Sequence, residues 1–202
     1  MRYHRGMAAE QGIRLRERTR RAVRTELISI GMGLFASNGY DETTVEQIAT
    51  TAGMSKRSFF RYFASKEDLV LGNVEAVGRQ LAQALAARPD DEPPWLAMRH
   101  AFDLLVSLND ADPRRALVLL RMLRDTPSLK ARRLEKQLRW QELLTPHLSR
   151  GSVAGGNDPR PRAIAAAALA CLDAAQEAWV ASDGTVALSR LLDMTMKAVG
   201  PL

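Results

Sequence analysis

The sequence predicts an all-α protein of about nine helices. Apolar residues recur at intervals of three and four along most of the chain, which is the spacing of an amphipathic helix. An alternating strand pattern never extends beyond four residues, and aromatic residues make up only 5% of a composition rich in the helix formers Ala, Leu and Arg. The 202 residues suffice for one large domain or two small ones with a hydrophobic core.

The composition also excludes two classes of protein. Cys171 is the only cysteine, which excludes a scaffold held by disulfides. The longest nearly apolar run, residues 163–175, contains Asp173 and is shorter than the about 20 residues that a membrane-spanning helix requires. Because the N-terminus is basic and polar, without the apolar segment of a signal peptide, we expect a cytoplasmic protein.

The chain is predicted to start with an arm and a long helix. We expect residues 1–19 to form a basic flexible arm, because arginines cluster there with little apolar content. The first helix is predicted from about residue 18 to residue 37, and its apolar stripe comprises Val23, Leu27, Ile30 and Leu34. It ends at Asn38-Gly39, since both residues tolerate the left-handed backbone of a helix C-cap.

Two short helices follow, separated by a tight turn. Thr44 and Gln47 have the spacing of a capping box that begins a helix, and Gly53 ends this helix. Ser55 is the predicted N-cap of the next helix, over residues 56–63, whose Phe59 and Phe63 point inward. Because helices this short are stable only when they pack together, the turn makes them cross. This is the pattern of a helix-turn-helix.

Residues 67–202 are predicted to form a helical body. Ser65 caps a helix that continues to about residue 87, and an acidic, proline-containing linker follows. Later prolines sit at the first turn of a helix, where their missing N–H is tolerated, and the predicted helices cover 94–109, 113–124, 127–149, 159–182 and 184–199. The predicted domains are therefore the arm 1–19, a helix-turn-helix domain 20–66 and the body 67–202.

The net charge of +6 lies entirely in the first third of the chain. Residues 1–66 hold 12 of the 29 Lys and Arg and 6 of the 23 Asp and Glu, whereas residues 67–202 hold 17 of each. A basic head on a neutral body suggests a polyanion as the partner of the head. Charge alone leaves nucleic acid, an anionic membrane surface and simple solubility open as explanations.

The second helix of the helix-turn-helix carries the residues with relevant chemistry. Its predicted exposed side presents Lys56, Arg57, Ser58 and Arg61, which are residue types that read guanine edges or bind phosphates. A solvated basic face is the alternative interpretation. The coincidence of this face with the recognition helix of the motif favours DNA binding.

Residues 20–70 resemble the DNA-binding domain of the TetR family of bacterial transcriptional regulators. The resemblance rests on one motif, which reads Thr44, Ile48-Ala49, Ala52-Gly53-Met54-Ser55, Phe59-Phe60, Tyr62-Phe63 and Lys66-Glu67-Asp68-Leu69. Leu34-Phe35 and Gly39-Tyr40 fit the end of the family's first helix. The resemblance implies a dimeric, ligand-responsive repressor whose divergent C-terminal domain binds the effector.

The resemblance also implies roles for single residues. The implied DNA-binding residues are Thr44, Ser55, Lys56, Arg57, Ser58, Phe60, Arg61, Tyr62 and Lys66. Among them, Thr44, Tyr62 and Lys66 match positions that bind phosphates, and residues 56–58 match the positions that read bases. Arg61 matches a phosphate or base contact. Phe60 departs from the pattern, since a Tyr whose hydroxyl reaches a phosphate is usual there. Two interpretations of the arginines at 14–21 remain open, a contact with phosphates or a minor groove and a disordered solubilising tail.

The body is expected to bind an effector and to form the dimer. The candidate ligand-binding residues combine apolar bulk with two polar anchors, and they are Trp95, Met98, Phe102, Leu105, Leu120, Arg121, Trp140 and Gln141. For the apolar members of this set, an ordinary core position is the alternative. Helix 159–182 is apolar on almost every side, so it is expected to be buried on more than one side. With helix 184–199 it is predicted to form a four-helix interface across a two-fold axis.

An enzyme and a nonspecific coating protein are the competing interpretations. Gly31, Gly33 and Ala36 match a dinucleotide fingerprint, but Asn38-Gly39 ends the following helix and no βαβ unit follows. The three histidines lie beside no Cys or carboxylate cluster, so no metal is expected. A basic coat for DNA or for a membrane explains the charge but not the motif spacing.

We therefore predict a sequence-specific transcriptional regulator that is not an enzyme and uses no cofactor. Its predicted partners are a double-stranded DNA operator, a small effector and a second copy of the chain, and no membrane. The predicted mechanism is repression from a near-palindromic operator, relieved by a small, largely apolar ligand. A ligand-independent DNA-binding protein, or an activator of the same fold, is the alternative.

Overall fold

The structure, a computed structural model, describes residues 3–149 and 158–202 of the chain. Within these residues it contains ten α-helices and no β-strand, which confirms the predicted all-α fold. The helices are α1 Tyr3–Asn38, α2 Val45–Thr51, α3 Lys56–Phe59, α4 Lys66–Ala86, α5 Pro94–Ala101, α6 Asp103–Ala111, α7 Pro113–Asp125, α8 Pro127–Leu148, α9 Arg160–Ala181 and α10 Leu188–Lys197.

The chain folds into two compact units, Met1–Asn73 and Val74–Leu202. Helix α4 begins in the first unit and ends in the second. The boundary between the units lies within α4, seven residues after the end of the predicted helix-turn-helix domain at residue 66.

The first unit is held together by a core that α1, α2, α3 and the start of α4 share. Its largest fully buried side chains are Leu27, Met32, Phe35, Ile48, Phe59, Phe63 and Leu69. The two turns that bring these helices together contain Gly39 at φ +89° and Gly53 at φ +66°, a left-handed backbone that side chains disfavour. The predicted inward positions of Phe59 and Phe63 are confirmed.

Helix α1 begins at Tyr3, fifteen residues before its predicted start at Arg18. Residues predicted to be a flexible arm thus form its first turns. Their side chains, among them Ala8, Ala9, Glu10 and Gln11, favour helix, and an extension of an existing helix does not repeat the cost of nucleation. In this segment and the turn after it, residues 15–22 are exposed.

Three other helices differ from their predicted lengths, and one of them, α10, covers only Leu188–Lys197 of the predicted range 184–199. Helix α3 ends at Phe59, and the path continues through tight turns in which Arg61 N–H donates to Ser58 O at 3.2 Å and Tyr62 N–H to Phe59 O at 2.8 Å. The single predicted helix 94–109 divides at Phe102 into α5 and α6, with Leu105 N–H donating to Phe102 O at 2.9 Å. No Gly or Pro marks this break.

Helix α9 is the centre of the second unit, where it packs against α5, α7, α8 and α10. Among the described residues it is the one helix long and apolar enough to cross a membrane, with a mean hydropathy of 1.3. Its buried side chains include Ala168, Leu172 and Trp179, as expected of a core helix. Cys171 is also buried, and its thiol donates to Thr195 O at 3.5 Å.

In the sequence, Ile164, Ala168, Cys171, Ala175 and Trp179 of α9 form one stripe at helical spacing, of which Ile164 is only partly buried in the structure. Ala168, Cys171, Ala175 and Trp179 of this stripe are all buried within the second unit. The face of α9 that remains exposed carries four small side chains, Ala163, Ala166, Ala170 and Ala174, followed by Glu177. A helix that is apolar on nearly every side does not reveal from its sequence which face meets the protomer core.

A close contact joins α4 to α8 within the second unit. The indole of Trp140, on α8, is buried, and its Nε1–H donates to Val74 O at 3.2 Å. The ring lies directly over Gly78 of α4, where a Cβ atom would be 2.3 Å from Trp140 Nε1. The absence of a side chain at Gly78 is therefore what allows the indole to approach the helix.

Candidate DNA-binding site

The helix-turn-helix presents its polar side chains outward from a buried aromatic anchor. Phe59 and Phe63 are buried with their ring centroids 5.8 Å apart. Residues 56, 57, 60 and 61 are therefore displaced to the other side of this short helical segment, where all four are exposed. The order of apolar and polar residues thus fixes which side chains of α3 are available to a partner.

The hydroxyl groups of Thr44 and Ser55 define the first turns of α2 and α3. Thr44 Oγ1 accepts from Gln47 N–H at 3.2 Å, while Gln47 Oε1 accepts from Thr44 N–H at 2.7 Å, so the predicted capping box is confirmed. Ser55 Oγ accepts from Ser58 N–H at 3.2 Å, which confirms the second N-cap. Both helices are thereby fixed in register, and with them the side chains of α3.

The lysine and the arginines of the α3 segment differ in their partners. Lys56 forms an ion pair with Glu46 of α2, and both side chains are about half exposed. The hydrogen bond from Lys56 is the largest cause of a lowered pKa of the Glu46 carboxyl. Arg57 and Arg61 form no ion pair with any described residue. These two guanidinium groups are therefore available to an external acceptor.

Lys66, at the start of α4, is directed toward the loop between α1 and α2. Its Nζ donates to Tyr40 O at 2.7 Å, to Thr43 O at 3.2 Å and to Asp41 O at 3.4 Å. It also lies 4.2 Å from the centroid of the Tyr40 ring. In this geometry the ammonium group holds the loop that leads into α2, in addition to the phosphate contact that the family resemblance implies.

Arg24 is a residue of this site that the sequence analysis missed. Its Cζ lies 4.1 Å from the centroid of the Phe63 ring, and its guanidinium donates to Tyr62 O. The side chain therefore ties α1 to the turn that follows α3. In the sequence, this contact is indicated by the position of Arg24 on α1, one turn before the buried Leu27.

The remaining predicted DNA-binding residues lie on the same part of the first unit. Phe60 is 47% exposed and meets Phe59 edge to face, with the centroids 5.7 Å apart. Ser58 and Tyr62 are partly exposed, and the Arg61 guanidinium lies 5.9 Å from the Tyr62 ring centroid. All of the predicted DNA-binding residues are in one compact unit, within the 23 positions from 44 to 66.

The candidate ligand-binding residues are dispersed through the second unit. Met98, Phe102 and Leu105 are buried in its interior, and Trp140 packs on Gly78. The others have separate neighbours: Trp95 lies beside Gly200, Arg121 pairs with Asp183, and Gln141 Nε2–H donates to Arg162 O at 3.2 Å.

The structure places two of these candidates in different clefts. Leu120 lines a cleft of about 20 Å³ between α7 and α9, together with Asp173 and Glu177. Gln141 lines another cleft, of about 270 Å³, with Leu138 and Arg162. Leu120 and Gln141 therefore line separate clefts on the second unit.

Two family models match the chain. The model of bacterial regulatory proteins of the tetR family matches residues 27–72, and the model of the MftR C-terminal domain matches residues 92–201, more than half of the chain. The transcriptional regulator TcmR of Streptomyces glaucescens is 35% identical over 159 residues, which cover 75% of this chain and 70% of TcmR. This chain belongs to the TetR family.

Two further proteins extend the similarity of this TetR-family chain over most of its length. MftR of Mycobacterium tuberculosis is 28% identical over 172 residues, covering 85% of this chain and 86% of MftR. The crystal structure of Thermus thermophilus FadR, a TetR-family repressor in complex with lauroyl-CoA, shares the fold with a TM-score of 0.61 at 21% identity, over 87% of this chain and 92% of FadR. As a TetR-family member, the protein is a DNA-binding transcriptional regulator.

The departure at Phe60 gives a prediction for this TetR-family regulator. Phe60→Tyr is expected to tighten operator binding about 3- to 10-fold, because an exposed ring gains a hydroxyl that donates to a phosphate, a bond worth about 0.5–1.5 kcal/mol net. Fluorescence anisotropy with labelled operator measures the change. Phe60→Leu, which keeps an apolar side chain and adds no donor, is the control. An affinity for Phe60→Tyr equal to that of the wild type contradicts the prediction.

The ion pair between Lys56 and Glu46 gives a second prediction. Glu46→Gln removes a carboxylate beside the DNA-binding face and releases the Lys56 ammonium, so DNA binding is expected to tighten about 2- to 10-fold at low salt. Glu26→Gln makes the same charge change at an exposed position of α1 and is the matched control. Electrophoretic mobility-shift titrations measure the affinity for DNA. If both variants bind DNA more tightly by the same factor, the change in net charge is responsible, and the explanation through the ion pair of Lys56 fails.

Proposed function

We propose that the protein is a homodimeric repressor that binds a near-palindromic operator and is released from it by a small, largely apolar ligand. It acts in the cytoplasm and catalyses no reaction. The observation that carries the proposal is the exposed basic surface of α3 and the turn after it. There Arg57 and Arg61 form no ion pair with a described residue and lie beside the buried Phe59 and Phe63. Guanidinium groups on a recognition helix read guanine edges and bind phosphates.

The exposed faces of α9 and α10 support the dimer. Small side chains at Ala163, Ala166, Ala170 and Ala174 allow a second helix to approach closely. On α10, Met194 is 59% exposed although the helix is otherwise well packed against α9. A two-fold axis through these faces gives each dimer two recognition helices, which fits operator half-sites about 34–36 Å apart.

The second unit supports ligand control through α4. Helix α4 starts beside the DNA-binding residues with Lys66 and continues to Ala86 in the second unit, so a displacement of one end is transmitted along a continuous helix. The cleft between α7 and α9 has room for about one water molecule. A ligand that enters between α7 and α9 is therefore proposed to bind a more open state of these two helices, and binding raises the population of that state.

Selection from random duplex DNA tests the DNA-binding part of the proposal. The wild-type chain is expected to enrich an inverted repeat whose half-sites are one helical turn apart, and light scattering at micromolar concentration is expected to give the mass of a dimer. A monomer, or a pool without an enriched sequence, overturns the proposal. The genes beside genomic matches to the enriched sequence then narrow the choice of effector.

A transcription assay separates repression from its alternatives. With the selected operator in a promoter, the protein is expected to lower transcript yield, and the effector is expected to restore it. Lauroyl-CoA, the molecule bound by Thermus FadR, is the first probe, followed by other apolar compounds of similar size. A rise in transcript on adding the protein identifies an activator. Repression that no compound relieves favours a ligand-independent regulator.

A further inference from the structure

The N-terminal part of α1 is a basic extension of the DNA-binding unit. Residues 15–22 are all exposed, so this length of helix continues beyond the core that begins near Leu27. Arg16, Arg20 and Arg24 follow each other at four-residue intervals and therefore form one row along the helix.

The row is fixed at one end by Arg24, which donates to Tyr62 O and lies over the Phe63 ring. Arg20 and Arg16 lie one and two turns closer to the N-terminus of α1, and they face the same turn after α3. Together they form a groove of about 560 Å³, which we call the α1 groove, lined by Leu15, Arg16, Thr19, Arg20, Arg61 and Tyr62.

The chemistry of the α1 groove is that of an anion site. Three of its lining residues carry a guanidinium group, and none carries a carboxylate. Within the described part of the chain, Arg16, Arg20 and Arg61 form no ion pair. The like charges that line this groove repel one another, and an anion bound between them relieves the repulsion. Guanidinium groups bind phosphate oxygens in a bidentate manner.

Continuity with the recognition segment identifies the anion. Arg61 and Tyr62 line the α1 groove and also belong to the turn directly after α3. A DNA strand that passes α3 therefore reaches the groove without leaving the surface of the first unit. We propose that the α1 groove binds backbone phosphates of the DNA that flanks each operator half-site, an inference that rests on the proposed function.

Two double variants with equal charge changes test this proposal. Arg16→Ala/Arg20→Ala removes the arginines of α1 that line the groove, whereas Arg18→Ala/Arg21→Ala removes two exposed arginines of the same helix that do not line it. Since all four side chains are exposed, both variants are expected to fold, and circular dichroism checks this. The DNA probe is the sequence that the wild-type chain enriches from a random library, with and without flanking duplex.

The readout is the slope of the logarithm of the binding constant against the logarithm of the salt concentration. Each lost phosphate contact reduces this slope by about 0.9, so Arg16→Ala/Arg20→Ala is expected to reduce it by about 2 on the long probe. The control is expected to leave the slope unchanged. On the short probe, wild type and Arg16→Ala/Arg20→Ala are expected to have the same slope.

Two results overturn the proposal while leaving the proposed function intact. One is an unchanged slope for Arg16→Ala/Arg20→Ala on the long probe, and the other is an equal reduction for both double variants. If wild type enriches no DNA sequence, the proposed function itself fails, and the assignment of the α1 groove fails with it.

Discussion

Replacing Arg57 with alanine is expected to cost about 1–3 kcal/mol of discrimination between the operator and random DNA. Arg57 is exposed on α3, forms no ion pair with a described residue and lies in the capped first turn of the helix. We expect the Arg57 guanidinium to donate two hydrogen bonds to the O6 and N7 atoms of a guanine. Alanine removes both bonds, so the affinity of the protein for the operator falls, whereas its affinity for random DNA changes little.

Binding curves on operator and random duplexes measure this discrimination directly. Arg57→Lys is the informative companion, because it keeps the charge and the phosphate attraction but lacks the planar fork that makes two parallel bonds. We expect it to retain the salt slope of the wild type while losing most of the discrimination. If Arg57→Ala weakens binding to the operator and to random DNA equally, Arg57 contacts a phosphate and reads no base.

Gly78→Ala is expected to lower the free energy of unfolding of the protein by about 1–3 kcal/mol, although alanine normally stabilises a helix interior. The new Cβ would lie 2.3 Å from Nε1 and 2.5 Å from Cδ1 of Trp140. The indole is buried and bonded to Val74 O, so it moves away only by losing that hydrogen bond and its packing. Denaturant titration followed by circular dichroism measures the change.

Gly33→Ala is the matched control for this prediction. Gly33 is exposed on α1, and a Cβ atom there meets no heavy atom within 4 Å. We expect this variant to be more stable than the wild type by about 0.5–1 kcal/mol, from helix propensity alone. The two substitutions are thus expected to change stability in opposite directions. A Gly78→Ala variant as stable as Gly33→Ala contradicts the close contact with Trp140.

The helix starts that could be predicted depend on residues three or four positions apart. The capping box of Thr44 and Gln47 and the N-cap at Ser55 are short-range hydrogen bonds, which the spacing of residue types determines. Asp112 likewise accepts from Arg115 N–H at 3.1 Å, as its place before Pro113 predicts. The outward face of α3 follows from the same local order, because the buried Phe59 at its end and Phe63 in the turns after it are four positions apart.

The features that could not be predicted depend on distant partners. Lys66 meets carbonyl groups more than 20 positions earlier in the chain, and Arg24 meets Tyr62 O, 38 positions later. The break at Phe102 lies where the backbone turns without Gly or Pro, so the apolar pattern runs through it. The candidate ligand residues were chosen for apolar bulk, a property that core and pocket residues share, and several lie in the core.

The burial of Cys171 makes site-directed labelling of this protein simple. Burial raises the pKa of the Cys171 thiol, and the thiolate is the form that alkylating reagents attack, so the natural cysteine is slow to react. A cysteine introduced at an exposed position away from the proposed dimer faces, such as Ser107 on α6, will therefore carry a maleimide probe selectively in an otherwise natural chain. Spin labels or fluorophores placed there will report distances across the proposed two-fold axis, with and without DNA, in a background that needs no cysteine removal.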